Sequence, residues 1–167
     1  AAGLELGVPF GDMAQALRDF EGISRRFEIK GEVNDVLVLD DYGHHPAEIK
    51  TTLAAAAARW DRRLVVLFQP HRFTRTQKLA EDFGRSFHDA DVLLVTSIYP
   101  ASEEPIEGVT GATIVDAARR YGHRNCEYAE GLDALCDRAM EVAEPGDVVV
   151  TLGAGDVYKV GERMLEL

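Results

Sequence analysis

Four runs of the chain are almost continuously apolar: Val36–Asp40 (VLVLD), Leu64–Gln69 (LVVLFQ), Val92–Ser97 (VLLVTS) and Val148–Leu152 (VVVTL). A strand with one wet face alternates apolar and polar positions, whereas unbroken runs of this length suit parallel strands covered on both faces. The segments between them carry helical spacing instead. Ile49, Leu53, Ala57 and Trp60 fall on one helical face, as do Leu79, Phe83 and Phe87, and then Leu132, Leu135 and Ala139. Thr113–Tyr121 predicts a shorter helix and Cys126–Tyr128 a short strand. The alternation of strand and helix predicts a Rossmann-like three-layer α/β sandwich, with a mostly parallel sheet of about six strands and helices on both faces.

The leading segment reads differently. Leu6, Phe10, Met13, Leu17 and Phe20 predict a helix within residues 4–20, with Asp12 near its cap after Pro9 and Gly11. Gly22–Val33 (GISRRFEIKGEV) reads as a linker and an edge strand. We therefore expect residues 1–22 to be a linker or the tail of a preceding domain, and residues 23–167 to form the domain proper. An ordinary first helix of the same domain is the alternative. Ala1 follows no initiator Met, as at a processing or cutting boundary.

Charge narrows the partners. The 18 Lys and Arg against 29 Asp and Glu leave a net charge of −11, which repels nucleic acid and anionic membrane surfaces. No apolar run approaches the roughly 20 residues of a bilayer span. Cys126 and Cys136 lack the spacing of a redox or metal motif, and neither a metal site nor a disulfide is expected; a reduced, cytoplasmic setting is the simplest reading.

In an open α/β sheet, ligands bind beyond the carboxyl ends of the strands, and the unusual chemistry lies at those places. DDYGHHP (Asp40–Pro46) brings two carboxylates and two imidazoles to a glycine turn before a helix. His44 or His45 could hold an anion or move a proton. Asp40 or Asp41 could orient a histidine or accept from a ribose hydroxyl. The plain reading is a helix cap with surface histidines. QPHRFTRT (Gln69–Thr76) sets Arg72 and Arg75 three apart at a helix start, beside His71. Two guanidinium forks next to free helix amides would clamp a carboxylate or phosphate; the plain reading pairs them with Glu81 or Asp82. TLGAGD (Thr151–Asp156) lets a ligand approach the backbone at Gly153 and Gly155. It is no dinucleotide fingerprint, because Tyr158 takes the third glycine's place. The polar loop SIYPASEEP (Ser97–Pro105), with Tyr99, Glu103 and Glu104, is long enough to fold over a pocket. No GxxxxGK[ST] phosphate loop occurs anywhere.

DDYGHHP, QPHRFTRT, IYPASEEPI and TLGAGD, in this order and spacing, resemble the third domain of the Mur-type amino-acid ligases, and within them the alanine-adding branch. The resemblance spans about residues 14–167 and includes FEGISRRFE. The related murein tripeptide ligases typically carry Phe-Ala where this chain has Tyr42-Gly43, and lack HRFTRT. Phe73 stands where relatives often have Tyr, which keeps a ring. The resemblance implies an ATP- and Mg2+-dependent ligase that joins L-alanine to UDP-N-acetylmuramate through an acyl phosphate, with the phosphate loop and magnesium sites on a central domain and this domain inactive alone. It implies amino-acid contacts at Tyr42, His44, His71, Arg72 and Arg75. Asp40, Asp41 and His45 would lie near the nucleotide, and Tyr99, Glu103, Gly153, Gly155 and Asp156 would line the cleft. A receiver-type signalling domain also has an acidic pair after its first strand. It needs a phosphoacceptor Asp where this chain reads LFQPHR. A murein tripeptide ligase domain and a binding module without catalysis are the remaining alternatives.

Overall fold

The computed structural model describes residues 2–19 and 23–166. Six strands form one sheet: β1 (Glu28–Val33), β2 (Val36–Asp41), β3 (Leu64–Phe68), β4 (Val92–Val95), β5 (Cys126–Tyr128) and β6 (Val148–Leu152), in the spatial order β1-β2-β6-β3-β4-β5. Only β1 runs antiparallel to its neighbour. The predicted α/β sandwich with a mostly parallel sheet is the observed fold.

The apolar runs are unbroken because both faces are covered. Alternate residues point to opposite sides. Leu37, Leu39, Leu64, Val66, Phe68, Leu93, Val95 and Val150 pack under α3 (Pro46–Arg59), α5 (Ala80–Gly84) and α6 (Ala112–Arg120). Val36, Val65, Leu67, Leu94 and Val149 pack under α7 (Gly131–Val142) and α8 (Tyr158–Leu165). The chain steps outward from β2 to β5 and then returns through α7 to insert β6 between β2 and β3. Crossovers of one hand that run in opposite directions must lie on opposite faces. That reversal makes the β2–β6–β3 junction the switch point of the sheet.

Three details differ from the periodicity. On α3 it is Ala56, fully buried beside Ile49 and Leu53, that faces the sheet, while Ala57 is exposed. The helix expected through Leu79, Phe83 and Phe87 is split into α4 (Phe73–Lys78) and α5, and Phe87 lies beyond both, buried against Phe68 at 5.2 Å. The predicted leading helix is two pieces, α1 (Ala2–Glu5) and α2 (Phe10–Arg18), broken at Gly7 with φ +74°. Pro9 is the N-cap of α2, and Asp12 lies in its first turn, near the cap as expected. Neither piece contains a buried residue, and Leu6, Phe10 and Leu17 are 82%, 74% and 76% exposed. Phe20 and the expected boundary at Gly22 lie outside the described residues. No helix among the described residues is long and apolar enough to cross a membrane. Cys126 and Cys136 are buried free thiols.

Candidate functional site

Strand register assembles the four segments. Asp41, Leu152, Phe68 and Val95 form one row across β2, β6, β3 and β4. The next residues, Tyr42, Gly153, Gln69 and Thr96, open the four loops on the same rim of the sheet. All four segments therefore meet at the rim where ligands are expected at a switch point.

Its centre is a chain of rings. Tyr42 meets His44 edge-on at 5.3 Å, His44 and His71 are 5.3 Å apart, and Tyr99 stacks on His71 at 5.5 Å with an 11° tilt. The partners determine where the protons sit. His44 Nδ1 lies 3.0 Å from the Tyr42 carbonyl, which only accepts, so Nδ1 carries hydrogen. His71 Nδ1 lies 3.2 Å from Arg75 Nη1, which only donates, so Nδ1 is bare and Nε2 carries hydrogen. Burial pushes the His71 pKa down from its ordinary value, with His44, Arg75 and Arg72 adding to the effect. His71 is thus a neutral ring with one N–H to offer. His45 is exposed at the start of α3. Glu48 accepts the amides of both His44 and His45, at 2.9 and 3.1 Å. Burial opposes its ionisation, but these two amides hold its carboxyl below the usual range.

Among the described residues neither Arg72 nor Arg75 is paired with a carboxylate. Glu81 instead bonds Arg120 and the Tyr121 hydroxyl, at 2.6 and 2.7 Å. Arg75 leans on His71 through Nδ1 and the carbonyl (3.3 Å), and most of its donors remain available. Arg72 is exposed and has φ +73°, ψ 137°. Such a backbone costs a non-glycine residue roughly 1–3 kcal/mol and concentrates at functional sites. It is held by Arg72 N–H to Tyr99 O (2.8 Å) and by the Thr76 amide and hydroxyl on Arg72 O (3.1 and 2.9 Å). The helix amides beside the arginines are not all free, as the sequence suggested. Glu103 accepts the Thr74 N–H at 3.0 Å and the Thr74 hydroxyl at 2.7 Å.

The two aspartates are engaged within the fold. Asp40 accepts Arg25 Nε at 3.0 Å and the Thr151 hydroxyl at 2.6 Å. Asp41 accepts the amides of Phe27 and Gly43 at 2.8 and 2.7 Å. Neither carboxylate orients a histidine.

Two residues outside the expected set tie the rim together. Arg25 reaches Asp40 and the carbonyls of Gly155 (3.1 Å) and Gly153 (2.6 Å), with Tyr42 and Tyr158 rings flanking its guanidinium. Gln69, 5% exposed, accepts the amides of Asp156 and Val157 at 2.8 and 3.1 Å and donates to Asp156 Oδ1 at 2.9 Å. A Cβ on Gly155 would collide with the Gln69 amide oxygen and the Tyr99 ring, and one on Gly153 would meet Gln69 O at 2.8 Å. Both residues stood inside motifs already singled out, FEGISRRFE and QPHRFTRT. Apart from Asp40, 15 positions from Arg25, their side-chain hydrogen-bond partners are 87 to 130 positions away, and spacing gives no sign of that.

Comparison with known proteins bears on the family and the fold. The family model described as "Mur ligase, glutamate ligase domain" matches residues 25–155. The UDP-N-acetylmuramate–L-alanine ligase of Geotalea uraniireducens is 49% identical over 99% of the chain and 36% of its own length. The chain thus spans about a third of the curated relatives it matches. Among solved structures, the UDP-N-acetylmuramate–alanine ligase of Thermotoga maritima superposes with a TM-score of 0.80 at 28% identity, covering 99% of this chain and 34% of that one. A murein peptide ligase of Psychrobacter arcticus gives 0.72 at 29% identity, covering 91% and 31%.

Proposed function

The chain belongs to the Mur ligase family, and from that premise we propose that it is the amino-acid-receiving domain of a cytoplasmic ligase that joins L-alanine to UDP-N-acetylmuramate. ATP dependence is part of this proposal and is carried by the resemblance of the four motifs to the Mur-type ligases. In the proposed reaction the lactyl carboxylate of the sugar takes the γ-phosphoryl group of ATP and ADP leaves. The alanine amine attacks the acyl carbon, the C–N bond forms, and the C–O bond to phosphate breaks. Among the described residues no three His, Cys, Asp or Glu side chains gather to hold a metal, and no phosphate loop occurs. We therefore assign the phosphates of ATP and Mg2+ to other parts of a longer polypeptide, against which the apolar faces of α1 and α2 would pack.

One observation carries the reading: two arginines without carboxylate partners stand beside a neutral histidine at the switch point. The guanidinium groups of Arg72 and Arg75 would hold the alanine carboxylate. His71 Nε2–H would add a donor, and the Tyr42, His44 and Tyr99 rings would bound the space left for the side chain. Asp40 and Asp41, through Arg25 and the Gly43 turn, would shape the nucleotide side together with His45. Gly153, Gly155 and Asp156 would border the cleft. Holding the amine in line with an acyl phosphate is worth up to about 7–11 kcal/mol of barrier, and closure of the domains protects that intermediate from water.

Replacing Arg72 or Arg75 with Lys in the full ligase removes the planar fork. The KM for L-alanine is expected to rise at least about tenfold, with the KM for ATP little changed. An unchanged alanine KM in both variants would refute the assignment.

A further inference from the structure

Residues 97–107 cross the rim as a strap and, besides stacking Tyr99 on His71, hydrogen-bond to the arginine segment at three points. Tyr99 N–H donates to Pro70 O and Arg72 N–H to Tyr99 O, both at 2.8 Å. The third contact is the grip of Glu103 on Thr74. The first two use only backbone atoms. The third requires one side chain, and the strap bends sharply to deliver it. Ala101 and Ser102, immediately before Glu103, both sit in the left-handed region at φ 48° and 68°, which neither residue type favours.

Thr74 lies between Arg72 and Arg75, in the first turn of a helix only six residues long. So short a helix has little stability of its own. We propose that Glu103 is a positioning residue: through Thr74 it holds the first turn of α4, and with it the guanidinium groups of Arg72 and Arg75, in the orientation that receives the amino acid. This rests on reading the rim as the amino-acid site. Each Glu103 oxygen accepts a Thr74 donor, which favours a positioning role over direct contact with a ligand. The Thr74 hydroxyl and amide, with the field of Arg72, hold the Glu103 carboxyl below its ordinary range, and the clamp is ionised at neutral pH.

The test compares Glu103→Ala, Thr74→Ala, their combination and Glu103→Gln in the full ligase. Each alanine variant is expected to raise the KM for L-alanine about tenfold and leave the KM for ATP within about twofold. The combination should be no worse than the more damaging single change, because both remove one interaction. Glu103→Gln, which can still accept from Thr74, should recover part of the loss. Multiplying effects in the combination, or equal rises in both KM values, would overturn the proposal. Hydrogen exchange on the 167-residue chain supplies a readout independent of ligase activity. The Arg72 and Thr76 amides should exchange at least about tenfold faster in Glu103→Ala, and unchanged exchange would also overturn it. Were the unaltered ligase indifferent to L-alanine, the functional reading would fail while the exchange result stood.

Discussion

Gln69 offers a direct test of how the rim is built. Its side chain is buried, and its amide oxygen is the acceptor for two backbone N–H groups at the start of the final helix, those of Asp156 and Val157. Gln69→Leu keeps the approximate volume and removes all three hydrogen bonds. A buried donor left without a partner costs about 1–3 kcal/mol. Val157 is fully buried, whereas Asp156 is only partly so and can recruit water. The expected loss is therefore about 2–4 kcal/mol rather than the full sum for two donors. At a urea m-value of about 2 kcal/mol/M, the unfolding midpoint should fall by about 1–2 M with its slope unchanged. Gln69→Glu serves as a control. It keeps the acceptor but places a carboxylate where the 2.9 Å donor to Asp156 stood. Its deficit should be present at pH 7 and shrink as the pH falls toward about 4, because a proton shared between the two carboxyls replaces the lost N–H. A midpoint shift below about 0.3 M for Gln69→Leu would refute the idea that this side chain welds the glycine turn to β3.

Two further expectations concern pH. His123 has both ring nitrogens buried without a hydrogen-bond partner, and burial lowers its pKa from 6.5, the Ala90 backbone offsetting this only in part. The unfolded chain then binds the proton more readily than the folded one, so stability present above about pH 6.5 is lost as the pH falls through the lowered value. The urea midpoint should drop between pH 7 and 5.5 and drop less in His123→Phe; identical profiles would contradict this. At the rim, the lowered pKa of His71 gives the same sign. Once Nδ1 is protonated it faces an Arg75 N–H donor, so the KM for L-alanine in the full ligase should rise on the acid side of that pKa, and a KM that stays flat through the His71 titration followed by NMR would count against a bare Nδ1.

What was legible in the sequence and what was not divides along physical lines. The runs VLVLD, LVVLFQ, VLLVTS and VVVTL announced buried parallel strands, because unbroken apolar sequence has few other stable uses in a polar chain. Their ends marked the loops of the candidate site, and register then placed those loops on one rim. Side-chain partnerships across the sheet were hidden. Asp40 looked available for a ligand, yet it is committed to Arg25 and Thr151, a residue 111 positions away. The amides of α4 looked free, but a strap returning from 29 residues later supplies Glu103 to one of them. The break between α4 and α5 was also invisible, because Leu79 and Phe83 keep helical spacing across it. In the leading segment, periodicity predicted a helix but not the absence of anything to pack on. Leu6, Phe10 and Leu17 keep their apolar spacing while largely exposed.

The central claim is that the rim of β2, β6 and β3 receives the amino acid through Arg72 and Arg75. The most direct measurement is a crystal structure of the full ligase with L-alanine bound. The alanine carboxylate should lie against both guanidinium groups, with His71 Nε2–H within hydrogen-bond reach and the amine directed away from the sheet. Alanine bound elsewhere, with both arginines turned to solvent, would contradict it.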